Sequence, residues 1–228
     1  MKDKPAHFPA IQFNGRSLKP ITQIVLDRRA TTHFKPDGVQ AEFLNAILKF
    51  AAQAPSGYNL QPWRFIVVRN EENRKRLQKA AFNQAKVAEA PVVIIAIGMK
   101  QESKKLIDEV LREGARRGAG KTENVQKKKA GALDFLSKMP MDVWVNRHTM
   151  IAVTTMMLVA EAYGFDTAPM EGFDPAAVKR EFDIPEEGEV VALLAIGHAR
   201  KPQKPYSGRL SLQRITFSER YGNPWRGK

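Results

Sequence analysis

The sequence predicts one α/β or α+β domain, and three observations carry that expectation. Three runs rich in branched and aromatic residues, Trp63–Val68, Val92–Ile97 and Glu189–Ile196, read as strands, and the run from Val92 has the unbroken apolar character of a strand buried on both faces. Segments with helical spacing separate them. A chain of 228 residues, 43% of them hydrophobic, buries a full core as a single unit, and no repeat or composition break marks a second one. The spacing leaves the strand order open.

Composition narrows the chemistry. With no cysteine, disulfides, thiolate zinc sites and iron–sulfur clusters are excluded, which fits a reducing compartment and a cytoplasmic location. Four histidines without an HExxH-like spacing give no expectation of a metal site. The start, MKDKPAHFPAIQFNG, lacks a signal-peptide apolar run, and no stretch reaches the ~18 apolar residues that span a bilayer. The formal charge of +13 raises nucleic acid or an anionic small molecule as partner. The densest basic segment, Lys100–Lys129, is interleaved with Glu102, Asp108, Glu109, Glu113 and Glu123 and lacks stacking aromatics, so it reads as a solvated helical face.

Residues 1–19 read as an extended arm. A helix over Ile21–Leu26 runs into Asp27–Phe34, where adjacent Arg28 and Arg29 precede Thr31 and Thr32. Guanidinium forks with hydroxyls beside them suit a phosphate; by themselves they read first as a basic helix end favoured by the macrodipole. Val39–Gln53 is an amphipathic helix with Val39, Phe43, Ala46, Ile47, Phe50 and Ala54 on one face.

The stretch Ala54–Arg69, APSGYNLQPWRFIVVR, is a loop feeding a strand. Pro55, Ser56 and Gly57 are turn formers, Asn59 and Gln61 carry amides, and Pro62 fixes the exit. Two amides on such a loop suit a flat ligand whose edge alternates donors and acceptors, as a flavin pyrimidine does. An ordinary surface turn is the competing reading.

Glu71–Ala81 follows as a charged helix, Asn83-Gln84 precedes a short segment ending at Pro91, and the Val92–Ile97 strand is closed by Gly98. Ser103–Arg117 is a helix. Its tail, Ala115–Thr122 (ARRGAGKT), matches a loose phosphate-binding loop, but a charged helix precedes it and ENVQKKK follows, where the mechanism needs a buried strand and an apolar helix. Residues 118–138 read as a mobile excursion. Met141–Tyr163 is the longest helix, with Trp144, His148, Ile151, Thr155, Leu158, Val159 and Ala162 on one face, Gly164 as its cap, and His148 as a packed histidine. Such a helix forms a central core or a subunit interface. Thr167–Asp174, TAPMEGFD, reads as a loop, Pro175–Phe182 as a short helix, and the proline-rich basic tail as an extended arm reaching across another subunit.

Taken together, RRATTHF, APSGYNLQPWRF, NQ ahead of APVVIIA, and APMEGFD followed by the arginine of YSGRL resemble the FMN-dependent nitroreductase family of NAD(P)H-dependent flavin oxidoreductases, over nearly the whole chain. The resemblance implies an α+β three-layer sandwich, a mixed sheet flanked by helices, in an intertwined homodimer with two FMN molecules at its interface. It implies one domain over 1–228, with a variable pocket-covering segment at 100–139 and an extended tail at 198–228. Arg28 and Arg29 match the pair near the FMN phosphate and ribityl chain, and Arg209 matches the second phosphate arginine. Pro55, Ser56, Gly57 and Asn59 match the loop from the partner subunit that lies against the flavin. Asn83 and Gln84 bracket the amide on the pyrimidine side. Pro169, Met170, Glu171 and Gly172 match the loop beside flavin N5, where a backbone N–H, near Glu171 or Gly172, takes the place of a catalytic side chain. Ala30 stands where the family often has Ser, Thr32 where it has Arg or Lys, and Ser207 where some members have Lys.

The implied activity passes hydride from NAD(P)H through FMN to a small electron-poor acceptor, a nitroaromatic or quinone, by a ping-pong mechanism, with neither nucleic acid nor membrane as partner. A flavin-fold sensor or carrier without turnover and a basic nucleic-acid-binding protein are the alternatives.

Overall fold

The computed structural model describes residues 19–200 and 206–226. Residues 1–18 of the expected arm, and 201–205 and 227–228 of the expected tail, lie outside the described residues. In chain order the elements are α1 (Ile21–Asp27), α2 (Ala41–Ala51), β1 (Trp63–Val68), α3 (Glu71–Ala80), α4 (Ala85–Glu89), β2 (Val92–Met99), α5 (Glu102–Lys105), α6 (Ile107–Arg116), α7 (Val125–Ser137), α8 (Met141–Ala162), β3 (Asp166–Met170), α9 (Pro175–Glu181), β4 (Gly188–Gly197) and α10 (Leu212–Ile215).

The strands form one sheet in the order β1-β2-β4-β3, antiparallel at every pairing. The parallel element of the implied mixed sheet is confined to an isolated bridge between Ala30 and Thr167. β2 is buried at all eight positions, which explains its lack of alternation. Val93, Ile95, Ile97 and Met99 face a layer formed with Leu77, Val87 and Val178 from α3, α4 and α9. Val92, Ile94 and Ala96 face the opposite layer, formed with Phe43 and Ile47 of α2 and Val153, Met156 and Ala160 of α8. The result is the three-layer α+β sandwich.

Four expectations change. TAPM is not loop but β3, an edge strand paired from Asp166↔Gly197 to Met170↔Leu193; an edge tolerates the missing N–H of Pro169. Gly98 does not close β2, which continues to Met99; the glycine lets α8 approach, since a Cβ there would stand 2.7 Å from Val145 Cβ. On α8 the buried stripe is Trp144, Val145, Thr149, Ala152, Val153, Met156, Met157 and Ala160, so of the expected face only Trp144 belongs to it and Ile151 is exposed. The segment 118–138 is no featureless excursion: it carries α7, whose Val125, Ala132 and Leu136 are buried.

Ala132 and Leu136 join Leu60, Ile107, Trp144 and Val145 in a third apolar cluster, which seats 102–137 on the back of the 55–61 loop. Part of the basic face of this segment is ion-paired, Arg112 and Lys129 with Asp108 and both Arg116 and Arg117 with Glu113. ARRGAGKT spans the end of α6 and a turn at Gly118 rather than a strand-to-helix loop. Among the described residues no helix is long and apolar enough to cross a membrane.

Gly98→Ala is expected to cost about 1–3 kcal/mol by overpacking. Urea titration checks it, and a cycle with Val145→Ala should show positive coupling, because that change removes the methyls the new Cβ meets.

Candidate functional site

Two groups of the sequence-predicted residues form, and one chain keeps them apart. The first lies along β3. Thr31 N–H donates to Thr167 O at 3.0 Å beside the Ala30–Thr167 bridge, so the arginine segment is fastened to the free edge of β3. Behind it, Lys19 Nζ lies 2.7 Å from Asp27 Oδ2 and 3.1 Å from Glu161 Oε1, fixing the start of α1 to the end of α8. Burial pushes the Glu161 carboxyl above its usual range, against the opposing pull of Lys19. Arg28 caps α1, its N–H donating to Ile24 O at 3.0 Å. Arg29 Nη1 donates to Arg28 O at 2.8 Å.

Tyr206, absent from the expected site, gathers two of the expected arginines: the Arg29 guanidinium carbon lies 4.2 Å from its ring centre and that of Arg209 lies 5.3 Å away. Among the described residues no carboxylate is within salt-bridge distance of Arg28, Arg29 or Arg209. The signal for Tyr206 was local, an aromatic three residues ahead of the arginine in YSGR; its packing on Arg29 is a tertiary fact.

At the far end of β3 the chain turns through Glu171 and Gly172, both exposed, while Met170 is buried in the core. Only the backbone of Met170 is thus available. The N–H groups of Glu171 and Gly172 donate to no acceptor among the described residues. This turn is held to the one after α3: Gln84 Nε2 donates to Gly172 O at 2.6 Å and to Ala81 O at 3.1 Å, and Asp174 N–H donates to Ala80 O at 2.8 Å. The NH2 of Gln84 is therefore committed to the protein. Asn83 has a φ of 56° and an exposed side chain amide without a hydrogen bond among the described residues. Burial pushes the ammonium of neighbouring Lys86 below its ordinary value, and no carboxylate pairs with it among the described residues.

The second group is the 55–61 loop before β1. Ser56 Oγ accepts from Gln61 N–H at 2.9 Å, Gln61 Nε2 donates to Asn59 O at 2.9 Å, and Leu60 is buried beneath. The Gln61 amide is thus spent internally, while that of Asn59 is exposed and unpaired among the described residues. Gly57 lies against α8: a Cβ there would meet Trp144 Cζ2 at 3.3 Å and His148 Nε2 at 3.5 Å. His148 is packed on Trp144, with Nδ1 2.8 Å from Trp144 O.

The strand order sets the two groups apart. β1 and β3 are opposite edges, roughly 14 Å apart at strand spacing, and the aligned positions differ by four residues, about 13 Å along the strands. One chain thus presents half a cleft at each edge. No cluster of three or more His, Cys, Asp or Glu is placed to hold a metal among the described residues. The donors do fit a phosphorylated flat ring: guanidiniums without a salt bridge among the described residues at one end, an unspent amide and bare backbone N–H groups along the other.

A sequence profile of the nitroreductase family matches residues 25–198. The chain is 35% identical over 193 residues to a protein named NADH dehydrogenase from Thermus thermophilus, covering 84% of this chain and 92% of that one. It is 26% identical over 194 residues to the oxygen-insensitive NAD(P)H nitroreductase of Enterobacter cloacae, covering 78% and 88%. A solved structure from Exiguobacterium sibiricum, assigned as a nitroreductase and determined in complex with FMN, superposes with a TM-score of 0.81 at 25% identity, covering 90% of this chain and 99% of that one. The chain belongs to the nitroreductase family.

Gln84→Leu is expected to cost about 0.5–1.5 kcal/mol, the worth of an ordinary hydrogen bond, and to raise amide exchange at 172–174. Hydrogen-exchange mass spectrometry reads this directly; unchanged protection there would show that the Asp174–Ala80 bond alone holds the turn.

Proposed function

We propose that this nitroreductase-family chain is an FMN-dependent oxidoreductase that takes hydride from NAD(P)H and delivers it, in ping-pong order, to a small electron-poor acceptor such as a nitroaromatic or quinone. Bound FMN supplies the redox chemistry at its N5. The observation that carries the reading is the pairing of Arg28, Arg29 and Arg209, which have no salt bridge among the described residues, with the bare N–H groups of Glu171 and Gly172 on the same edge of the sheet.

In this reading the three arginines hold the phosphate, with Tyr206 keeping two of them in place. Ala30 and Thr32 flank them and contribute backbone rather than the hydroxyl and charge often found in the family. Asn83 is the pyrimidine-side amide, because Gln84 is spent on Gly172 and Ala81. Pro169 and buried Met170 position the turn, and a main-chain N–H at Glu171 or Gly172 stabilises negative charge beside N5. Pro55, Ser56, Gly57 and Asn59 serve the flavin of a second copy.

A homodimer follows from the half-clefts on opposite edges. It also fits the exposed apolar side chains Ile21, Val25 and Leu26 on α1 and Ile151 on α8, with Leu212, Ile215 and Trp225 in the tail.

The purified protein is expected to be yellow and to release intact FMN on denaturation; a colourless preparation that fails to take up added FMN would end this reading. Arg209→Ala is expected to weaken FMN by about 1.5–3 kcal/mol, the range for hydrogen bonds to charged groups, and to leave riboflavin binding nearly unchanged. Equal losses for both ligands would make the arginine structural.

Glu171→Pro deletes a backbone N–H, whereas Glu171→Ala keeps it. Stopped-flow reduction normalised to bound flavin should slow in the proline variant and stay near wild type in the alanine variant. Equal damage by both would assign the role to the carboxylate.

A further inference from the structure

A basic cavity is lined by none of the residues of the proposed flavin site. It has a volume of about 580 Å3 and opens where β1 ends and β2 begins, lined by Arg69, Arg74, Lys75 and Arg200 with Glu71 and Glu89. Four cations face two carboxylates, and both carboxylates are already engaged. Glu89 accepts from Phe34 N–H at 3.1 Å and lies 3.2 Å from His33 Nδ1. Glu71 is paired with Lys75 at 2.6 Å.

Arg74 belongs to the wall, because its guanidinium donates to the carbonyls of Arg69, Ala88 and Pro91. Arg69 and Arg200 are different. Each is exposed and spends one donor, to Val39 O at 3.2 Å and to Phe34 O at 3.5 Å, out of the five that a guanidinium carries. Neither has a carboxylate within salt-bridge distance among the described residues. The helix dipole of α3 is not the attraction here, since Glu71 and Glu72 occupy its first turn.

We propose that this cavity is an anion site for a pyrophosphoryl group, gripped by the free forks of Arg69 and Arg200 over a floor fixed by Arg74. Two forks approaching from separate segments, the end of β1 and the residues after β4, match a ligand with two linked phosphates better than a single small ion. The proposal stands independently of the flavin reading, since no residue of that site lines the cavity.

The test is calorimetric titration of FMN-saturated protein with inorganic pyrophosphate at fixed ionic strength. Wild type should bind saturably. Arg69→Gln/Arg200→Gln should lose affinity on the order of tenfold or more, as expected for removing hydrogen bonds to a charged group. Arg69→Lys/Arg200→Lys, which keeps the charge but not the fork, should recover part of it. Saturating FMN occupies the proposed flavin phosphate site, so that the heat reports on this cavity.

Adenosine diphosphate, titrated in parallel, distinguishes free phosphate from a nucleotide: equal affinity assigns recognition to the phosphates alone, and tighter binding assigns it to a nucleotide. No saturable heat beyond that given by sulfate, or unchanged binding in the Gln double variant with native unfolding temperature, would overturn the proposal.

Discussion

The close approach of α8 to the sheet at Gly98 is the constraint on which the rest depends. With no side chain there, Val145 and Thr149 settle onto β2, and α8 packs against all four strands and against α1 and α2. One end of this helix presents Trp144 and His148, the surface on which Gly57 rests. The other end presents Glu161, which holds Lys19 and so the entry to α1. Both halves of the proposed cleft are thereby referred to one rigid body, although they lie on opposite edges of the sheet. A change in how deeply α8 sits would move both together.

Electrostatics then distinguishes structural charge from charge held for a ligand. Four of the nine basic side chains of the 102–137 segment are answered by Asp108 and Glu113, and Arg74 is absorbed by backbone carbonyls. Arg28, Arg29 and Arg209 have no carboxylate within salt-bridge distance among the described residues, Asp27 acting on Arg29 only from farther off, and the face of Tyr206 is a weak substitute for an anion. Keeping like charges together costs stability, and a bound phosphate would offset that cost through mass action on the folded state. The +13 formal charge is therefore not evenly spread over one solvated surface.

Much of this was legible in the sequence, and the failures share a cause. β1, β2 and β4, and the helices before and between them, follow from apolar runs and periodicity. β3 was hidden by Pro169, since the local rule against proline in strands does not know which strand will be an edge. α7 was hidden by the charge of ENVQKKK; its core contacts rest on the sparse trio Val125, Ala132 and Leu136, which is visible once a partner surface at Leu60 is known. On α8 apolar residues surround the helix, so periodicity could not choose between the Trp144–Val153 stripe and the Ile151 side. For the proposed site the motifs mark candidate segments, but not which amide is spent. The contacts from Gln84 to Gly172 and Ala81 separate it from Asn83, and tertiary packing joins Tyr206 to Arg29.

The 55–61 loop shows how such a segment is kept ready. Tyr58, Asn59 and Gln61 all adopt left-handed backbone angles, φ 53°, 57° and 46°. For side chains other than glycine this costs roughly 1–2 kcal/mol per residue, least for Asn. The loop persists because the surroundings over-determine it. Leu60 is buried under α6 and α7, Ser56 Oγ and Asn59 O are bound by Gln61, and Pro62 O accepts from Met99 N–H at 2.8 Å. An unstrained turn would leave Asn59 free to rotate toward solvent or into its own backbone. The strained one ties Ser56 Oγ and Asn59 O to Gln61 and leaves the Asn59 amide unspent, and the packing of the 102–137 segment beneath holds it there. That gives the segment a mechanical role beneath the loop, whatever it contributes above the cleft.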